Sequence, residues 1–149
     1  MLETANVRLS VMSAQRYELR RSFTVIDKRK AFGLDLEVHD IHSGMTRPVT
    51  TLSGGETFQA ALSLALGLAD TVQARSGGVQ LDTVFVDEGF GSLDSESLDR
   101  AIAALEQLKA GGRLVGIISH VEELRERFRT CCLKVTTSNG TSSARFVVE

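Results

Sequence analysis

Asp87 and Glu88 stand side by side at the end of the apolar run Leu81-Asp82-Thr83-Val84-Phe85-Val86. A short apolar run bounded by polar turns predicts a buried β-strand. Adjacent carboxylates leaving such a strand suit metal-dependent phosphoryl transfer. The first can hold Mg2+, directly or through water, and the second can orient and activate an attacking water. A second buried run, Leu114-Val115-Gly116-Ile117-Ile118, ends in Ser119-His120. An imidazole at that strand end could contact a terminal phosphate. In an open parallel sheet, ligands bind beyond the carboxyl ends of the strands, where both pairs fall. The third group is Thr51-Leu52-Ser53-Gly54-Gly55-Glu56-Thr57, which opens onto an Ala/Leu-rich run from Phe58. Ser53 is a natural helix N-cap, and Glu56, three residues on, completes a capping box. Glycines there let a ligand approach the backbone closely, and the N–H groups and positive dipole end of the helix suit a phosphate. Taken singly, a polar turn, a structural histidine and an ordinary helix start present the same residues. Their coincidence in this order is what gives them weight.

The elements that must position these groups can be read in chain order. Residues 1–20 are expected to be helical, because Leu2, Ala5, Leu9, Met12, Arg16 and Leu19 are spaced by three and four. Arg16 spoils the seam. The stretch is either an amphipathic helix packed on its own domain or the stub of a longer coiled coil. Ser22 to Lys30 is ambiguous. Leu34 to Asp40 alternates apolar and polar and predicts a half-buried strand. A turn at His42–Met45 and a second strand at Thr46–Leu52 complete a hairpin, with Pro48 suited to an edge. A long helix follows from Gly55 to about Ala74, ended by Arg75-Ser76-Gly77-Gly78. A Gly-rich turn, Gly89 to Asp94, separates the carboxylate-bearing strand from a helix at Ser95–Lys109. A short helix at Val121–Arg129 and two strands, Cys131–Thr137 and Ser142–Val148, close the chain around an Asn139-Gly140 turn signal. Strand and helix alternate in the middle, which predicts a mostly parallel central sheet flanked by helices, with antiparallel hairpins at its edges.

The 149 residues are 42% apolar and 24% charged, the composition of one globular domain with its own core. The net charge of −2 gives no global electrostatic case for nucleic acid. Charge is unevenly distributed, with seven Lys/Arg and three Asp/Glu in residues 1–30, and six acids and no base in residues 82–99. The acidic stretch can mark a metal site or a solvated turn. Cys131 and Cys132 are adjacent, so a bridge between them would be strained; they read as reduced thiols of a cytoplasmic protein. The cysteines form no metal-ligand pattern with His39, His42 and His120. No run is long enough to span a bilayer, and no membrane partner is expected.

The order of motifs resembles that of the ABC ATPases. Leu52-Ser53-Gly54-Gly55-Glu56 is similar to the signature motif, Val84 to Glu88 to the Walker B strand with its catalytic glutamate, Gly91-Ser92-Leu93-Asp94 to the D-loop, and Ser119-His120 to the switch histidine. The signature ending in Gly-Glu, the stretch Phe90 to Asp94 and Ile118-Ser119-His120-Val121 resemble the SbcC group of SMC-like DNA-repair ATPases. Arg8 to Ser13 and Arg16 to Arg20 extend that likeness over most of the chain. Transporter ATPases typically end the signature in Gly-Gln, from which Glu56 departs. No Gly-Lys dipeptide occurs, so the chain carries no P-loop of the Gly-x-x-x-x-Gly-Lys-Ser/Thr kind.

The resemblance therefore implies an α/β fold, the C-terminal lobe of an ABC-ATPase head. Residues 1–20 would be the end of a coiled-coil arm, and residues 21–149 a lobe that an N-terminal P-loop lobe completes. It implies ATP and Mg2+ as cofactors, with Asp87 at the metal, and Glu88 and His120 as catalytic groups. Ser53, Gly54, Gly55 and Glu56 would face a nucleotide bound to a second head of a homodimer. Ser92, Leu93 and Asp94 would lie across that dimer interface. An SbcD-type nuclease would be the partner, with DNA contacted by the full complex. Without a P-loop the chain alone is expected to turn over little or no ATP. The rival reading is a non-catalytic interaction module that binds a partner lobe.

Overall fold

The computed structural model describes residues 1–22, 35–75, 81–128, 132–138 and 140–147. They fall into two compact units, Met1–Ile118 and Ser119–Glu149.

The first unit is organised around two helices in close contact. Helix α1 spans Leu2–Met12 and buries Ala5, Leu9 and Met12, one face of a short amphipathic helix. Helix α2 spans Gly54–Arg75 and buries a stripe that includes Gln59, Ala60, Leu62, Ser63, Leu66 and Gly67. A glycine in mid-helix costs roughly 1 kcal/mol against alanine. Gly67 is there because a Cβ would stand 2.8 Å from the Ala5 backbone nitrogen and 2.9 Å from the Ala5 Cβ. The Met12 carbonyl at the end of α1 accepts from Gln59 Nε2 at 3.1 Å and from Arg100 Nε at 2.9 Å. Asp70 of α2 is gripped by Arg8 at 2.6 Å and by Arg113 at 2.9 Å.

The helix expected over residues 1–20 stops at Met12. Ala14 and Gln15 both have positive φ, 51° and 62°, which breaks the helix. Tyr17–Arg21 forms strand β1 instead, with Tyr17 and Leu19 pointing into the core. The position that spoils the heptad, Arg16, lies beyond the break, where the period changes from helical to alternating. Strand β2, Leu36–Asp40, pairs antiparallel with β1, and β3, Met45–Pro48, pairs antiparallel with β2. The second hairpin strand is thus shorter than expected. Val49–Thr51 turns as a 3-10 helix into α2. Most of the ambiguous stretch from Ser22 to Lys30, along with Leu34 and Ser76 to Gln80, lies outside the described residues.

Strands β4, Thr83–Asp87, and β5, Leu114–Ile118, pair in parallel, with Asp87 opposite Ile118. Helix α3, Ser95–Ala110, buries Leu98, Ala101, Ile102, Leu105 and Leu108. Both strands were expected to be buried. The alternation shows one face turned inward, with Val86 8% exposed, and one turned out. On the outer face Phe85 is 69%, Leu114 64% and Ile118 53% exposed. Phe85 lies across Gly116, its partner in register. Apolar residues on both faces encode two covers for the sheet, and among the described residues of this unit one is present.

In the second unit, the short helix α4, Glu122–Arg127, is followed by strands β6, Cys132–Ser138, and β7, Thr141–Val147, in an antiparallel hairpin. Ser138 faces Thr141 and Gly140 has φ 78°, the geometry of a two-residue loop. Cys132 is a free thiol that contacts the Phe128 carbonyl at 3.1 Å. Cys131, Asn139 and Val148 lie outside the described residues.

Substituting Gly67 with alanine should lower unfolding stability by roughly 1–3 kcal/mol, although alanine is the better helix former. A urea titration checks this. An unchanged or raised midpoint would mean that α1 does not sit against α2 as described.

Candidate functional site

Three segments remote in sequence meet at the first turn of α2. The turn itself is a closed capping box. Ser53 Oγ accepts from the Glu56 N–H at 3.3 Å, and Glu56 Oε2 accepts from the Ser53 N–H at 2.8 Å. The Ser53 oxygen is used as an acceptor, which leaves its hydroxyl proton able to donate elsewhere. Glu56 Oε1 accepts from the Tyr17 hydroxyl at 2.5 Å, and Arg47 stands 3.7 Å from Oε2. Burial alone would raise the Glu56 pKa. The hydrogen bonds from Tyr17 and Ser53, with the Arg47 charge, outweigh it and hold the carboxyl below its ordinary value. Burial, reinforced by the Glu56 hydrogen bond, pushes the Tyr17 phenol up.

The turn after β4 packs directly onto this box. Asp87 ends the strand, exposed. Glu88 adopts a left-handed conformation at φ 58°, and Gly89 follows at φ 96°. The pair reverses the chain while the Glu88 N–H stays bonded to the Ile118 carbonyl at 2.9 Å. A non-glycine residue in this region costs of order 1 kcal/mol, and such strain clusters at functional sites. Any Cβ at Gly89 would collide with the Phe58 ring of α2. Phe58 meets Phe90 edge to face, ring centroids 4.9 Å apart, and Phe90 is 1% exposed. One step further, a Cβ at Gly55 would stand 2.7 Å from the Ser92 carbonyl and 3.3 Å from Leu93. Gly54 has more room, its Cβ position 3.5 Å from the Ser92 Cβ.

Asp94 has a visible local job. It caps α3, accepting from the Ser97 N–H at 2.8 Å and the Ser97 hydroxyl at 3.0 Å. Those two hydrogen bonds hold its carboxyl below the ordinary range. Ser53, Gly54, Gly55, Glu56, Asp87, Glu88, Ser92, Leu93 and Asp94 thus belong to one unit, and the α2 and β4 segments are in contact. His120 is exposed and belongs to the second unit.

The donor set suits the implied groups. Mg2+ takes one or two carboxylates and completes its shell with water and phosphate, which fits Asp87 at an open strand end. A capped helix start without side chains at its first two positions fits a phosphate. An open groove of about 480 Å3, lined by Leu19, Leu36, Val49, Leu52, Ala60 and Leu64, is apolar and includes none of these residues. Sequence reasoning missed Tyr17, Arg47 and Phe58. Tyr17 reaches Glu56 across 39 positions, and no local pattern announces such a pairing.

This arrangement is found among ATPase heads of the SMC type. The chain superposes on the SMC head domain of Thermotoga maritima with a TM-score of 0.63, at 19% identity, covering 98% of this chain and 46% of that one. The Smc head of Pyrococcus furiosus, solved with an extended coiled coil and the C-terminal domain of ScpA, gives a TM-score of 0.67 at 15% identity, covering 99% and 34%. At these identities the likeness defines the fold: the α/β architecture of an SMC head. The family follows from sequence. The SbcC/RAD50-like, Walker B motif model matches residues 24–107, and the chain belongs to that family. The SbcC component of the nuclease SbcCD of Treponema pallidum is 54% identical over 136 residues, 91% of this chain and 13% of that protein. Its namesake from Vibrio cholerae is 59% identical over 127 residues, 85% of this chain and 12% of that protein. The chain therefore spans only a small part of the length of these relatives. Among the described residues no helix is long and apolar enough to cross a membrane.

Two expectations follow. Gly55→Ala should destabilise by roughly 1–3 kcal/mol because the Ser92 backbone must move, while Gly54→Ala stays close to the parent in the same urea titration. Equal effects would contradict the described packing of the two turns. Glu56 contributes stability that is full above the ordinary carboxylate range and is lost as pH falls through its lowered folded value. The acid limb of a Tm-against-pH curve should therefore be shallower in Glu56→Gln, with Asp40 and Asp94, also held low, supplying the remaining slope.

Proposed function

We propose that the chain is the C-terminal half of an SbcC-like ATP-hydrolysing head. The observation that carries this reading is the packing of the carboxylate-bearing strand end and the 90–94 turn onto the capped start of α2. Asp87 would help to hold Mg2+, and the left-handed backbone at Glu88 would aim its carboxylate away from the strand line to polarise a water. His120 would contact the terminal phosphate. Bound Mg2+ would neutralise charge on the transferring phosphoryl group. Ser53, Gly54, Gly55 and Glu56 would face the nucleotide of a second head, with Ser92, Leu93 and Asp94 beside it at the head–head interface.

The bare face of the parallel pair supports a missing lobe. Phe85, Leu114 and Ile118 make an apolar surface continuous with the sheet, and an N-terminal lobe carrying a P-loop would cover it. Helix α1 would be the root of a coiled-coil arm, its exposed Val7 and Val11 left for another helix. The relatives named as the SbcC component of SbcCD nucleases support control of an SbcD-type nuclease, with DNA contacted by the full complex in end processing and repair, in the cytoplasm. The chain alone would be close to inactive.

The test is ATP hydrolysis by the chain alone and mixed with a P-loop lobe of an SbcC relative. Activity should appear in the mixture and fall at least about a hundredfold in Glu88→Gln. A folded mixture that hydrolyses nothing, or one indifferent to Glu88→Gln, would leave the chain a non-catalytic module that binds a partner lobe.

A further inference from the structure

The capping box needs two residues, Ser53 and Glu56, yet four hold it. The Tyr17 hydroxyl occupies Glu56 Oε1, while the Ser53 N–H and Arg47 share Oε2. Arg47 also reaches past the carboxylate. Its Nη1 donates to the Thr51 carbonyl at 2.6 Å and contacts Thr51 Oγ1 at 2.8 Å, fixing the residues that lead into the turn. Tyr17 is 5% exposed, and the guanidinium groups of Arg16 and Arg47 lie 4.8 Å and 5.8 Å from its ring centroid. A glutamate at a solvated helix start would sample several rotamers and open the box part of the time. Here strands β1 and β3 remove that freedom.

We infer that Tyr17 and Arg47 are positioning residues for the Ser53-Gly54-Gly55 turn, acting through the two oxygens of Glu56. The inference rests on the proposal that this turn faces a nucleotide on a second head. Neither residue need touch that nucleotide. They fix where the Ser53 hydroxyl and the N–H groups after it point before the ligand arrives. Losing one clamp lowers the fraction of chains with a formed turn, and an apparent affinity falls by that same fraction. The cost should therefore appear in the ATP concentration needed, and little in the rate once ATP saturates. A glutamine at position 56 is no substitute, because it offers one acceptor oxygen where the carboxylate offers two.

The chain contains one tyrosine and no tryptophan, so tyrosinate absorbance reports Tyr17 alone. The groups around it are Glu56, Arg16, Arg47 and Asp40. In the native chain the phenol should titrate above the ordinary value of about 10, and Glu56→Gln should bring it back towards that value. No change in Glu56→Gln would overturn the route through Glu56. In the mixture with a P-loop lobe, Tyr17→Phe should raise half-saturating ATP roughly tenfold, with kcat within about twofold. Arg47→Lys should fall between the parent and Arg47→Ala. A merely structural hydroxyl would lower the urea midpoint of Tyr17→Phe and leave the ATP dependence of the folded protein where it was; that result overturns the inference. Ser53→Ala separates the two layers. If it shifts the ATP dependence and Tyr17→Phe does not, the positioning role fails and the nucleotide-facing turn stands. If Ser53→Ala shifts nothing, both fail.

Discussion

The first turn of α2 and the turn after β4 approach each other more closely than two ordinary residues allow. Gly55 meets a backbone carbonyl, Ser92, and a carbonyl cannot rotate out of the way as a side chain can. Gly89 sits against the Phe58 ring under the same restriction. The Phe58–Phe90 pair fills the space beneath both contacts. The two turns consequently move as one body. The capping box, the left-handed backbone at Glu88 and the cap of α3 by Asp94 all take their relative positions from that close approach.

The remaining architecture divides between what this body rests on and what it leaves open. Below it, α1, α2 and α3 bury a continuous core from Ala5 to Leu108 and tie its polar ends with Gln59, Arg100, Arg8 and Arg113. Beside it, the parallel pair turns Phe85, Leu114 and Ile118 outward. A surface of that composition, next to strand ends that carry carboxylates, is the mark of a lobe shaped to be completed.

Local signals in the sequence were read well because their physics is local. The Ser53–Glu56 box spans three residues and formed reciprocally. The boundaries of α2 and α3 followed from their caps and apolar spacing. The helix over residues 1–20 failed at Ala14 and Gln15, where neither residue type advertises positive φ. Beyond them, the alternation of Tyr17 and Leu19 was the strand signal, overlapped by a helical spacing that happened to continue. The apolar runs of β4 and β5 announced strands correctly but could not say that one face would stand bare, because a run records what a residue prefers and not what is available to cover it. The contacts that bring the site together, Gly55 with Ser92 and Tyr17 with Glu56, lie 37 and 39 positions apart. Only the fold creates them.

The carbonyl of Met12 has a mechanical consequence. It is the last peptide of α1 and is held at once by Gln59 of α2 and Arg100 of α3. A tension or twist applied along α1 would not dissipate in a flexible joint. It would load the side chain of Arg100, which also contacts Ser97 at 3.0 Å, the residue bonded to Asp94. A pull on the amino-terminal helix would thus be felt as strain at the cap of α3, through three side chains and without passing through a strand.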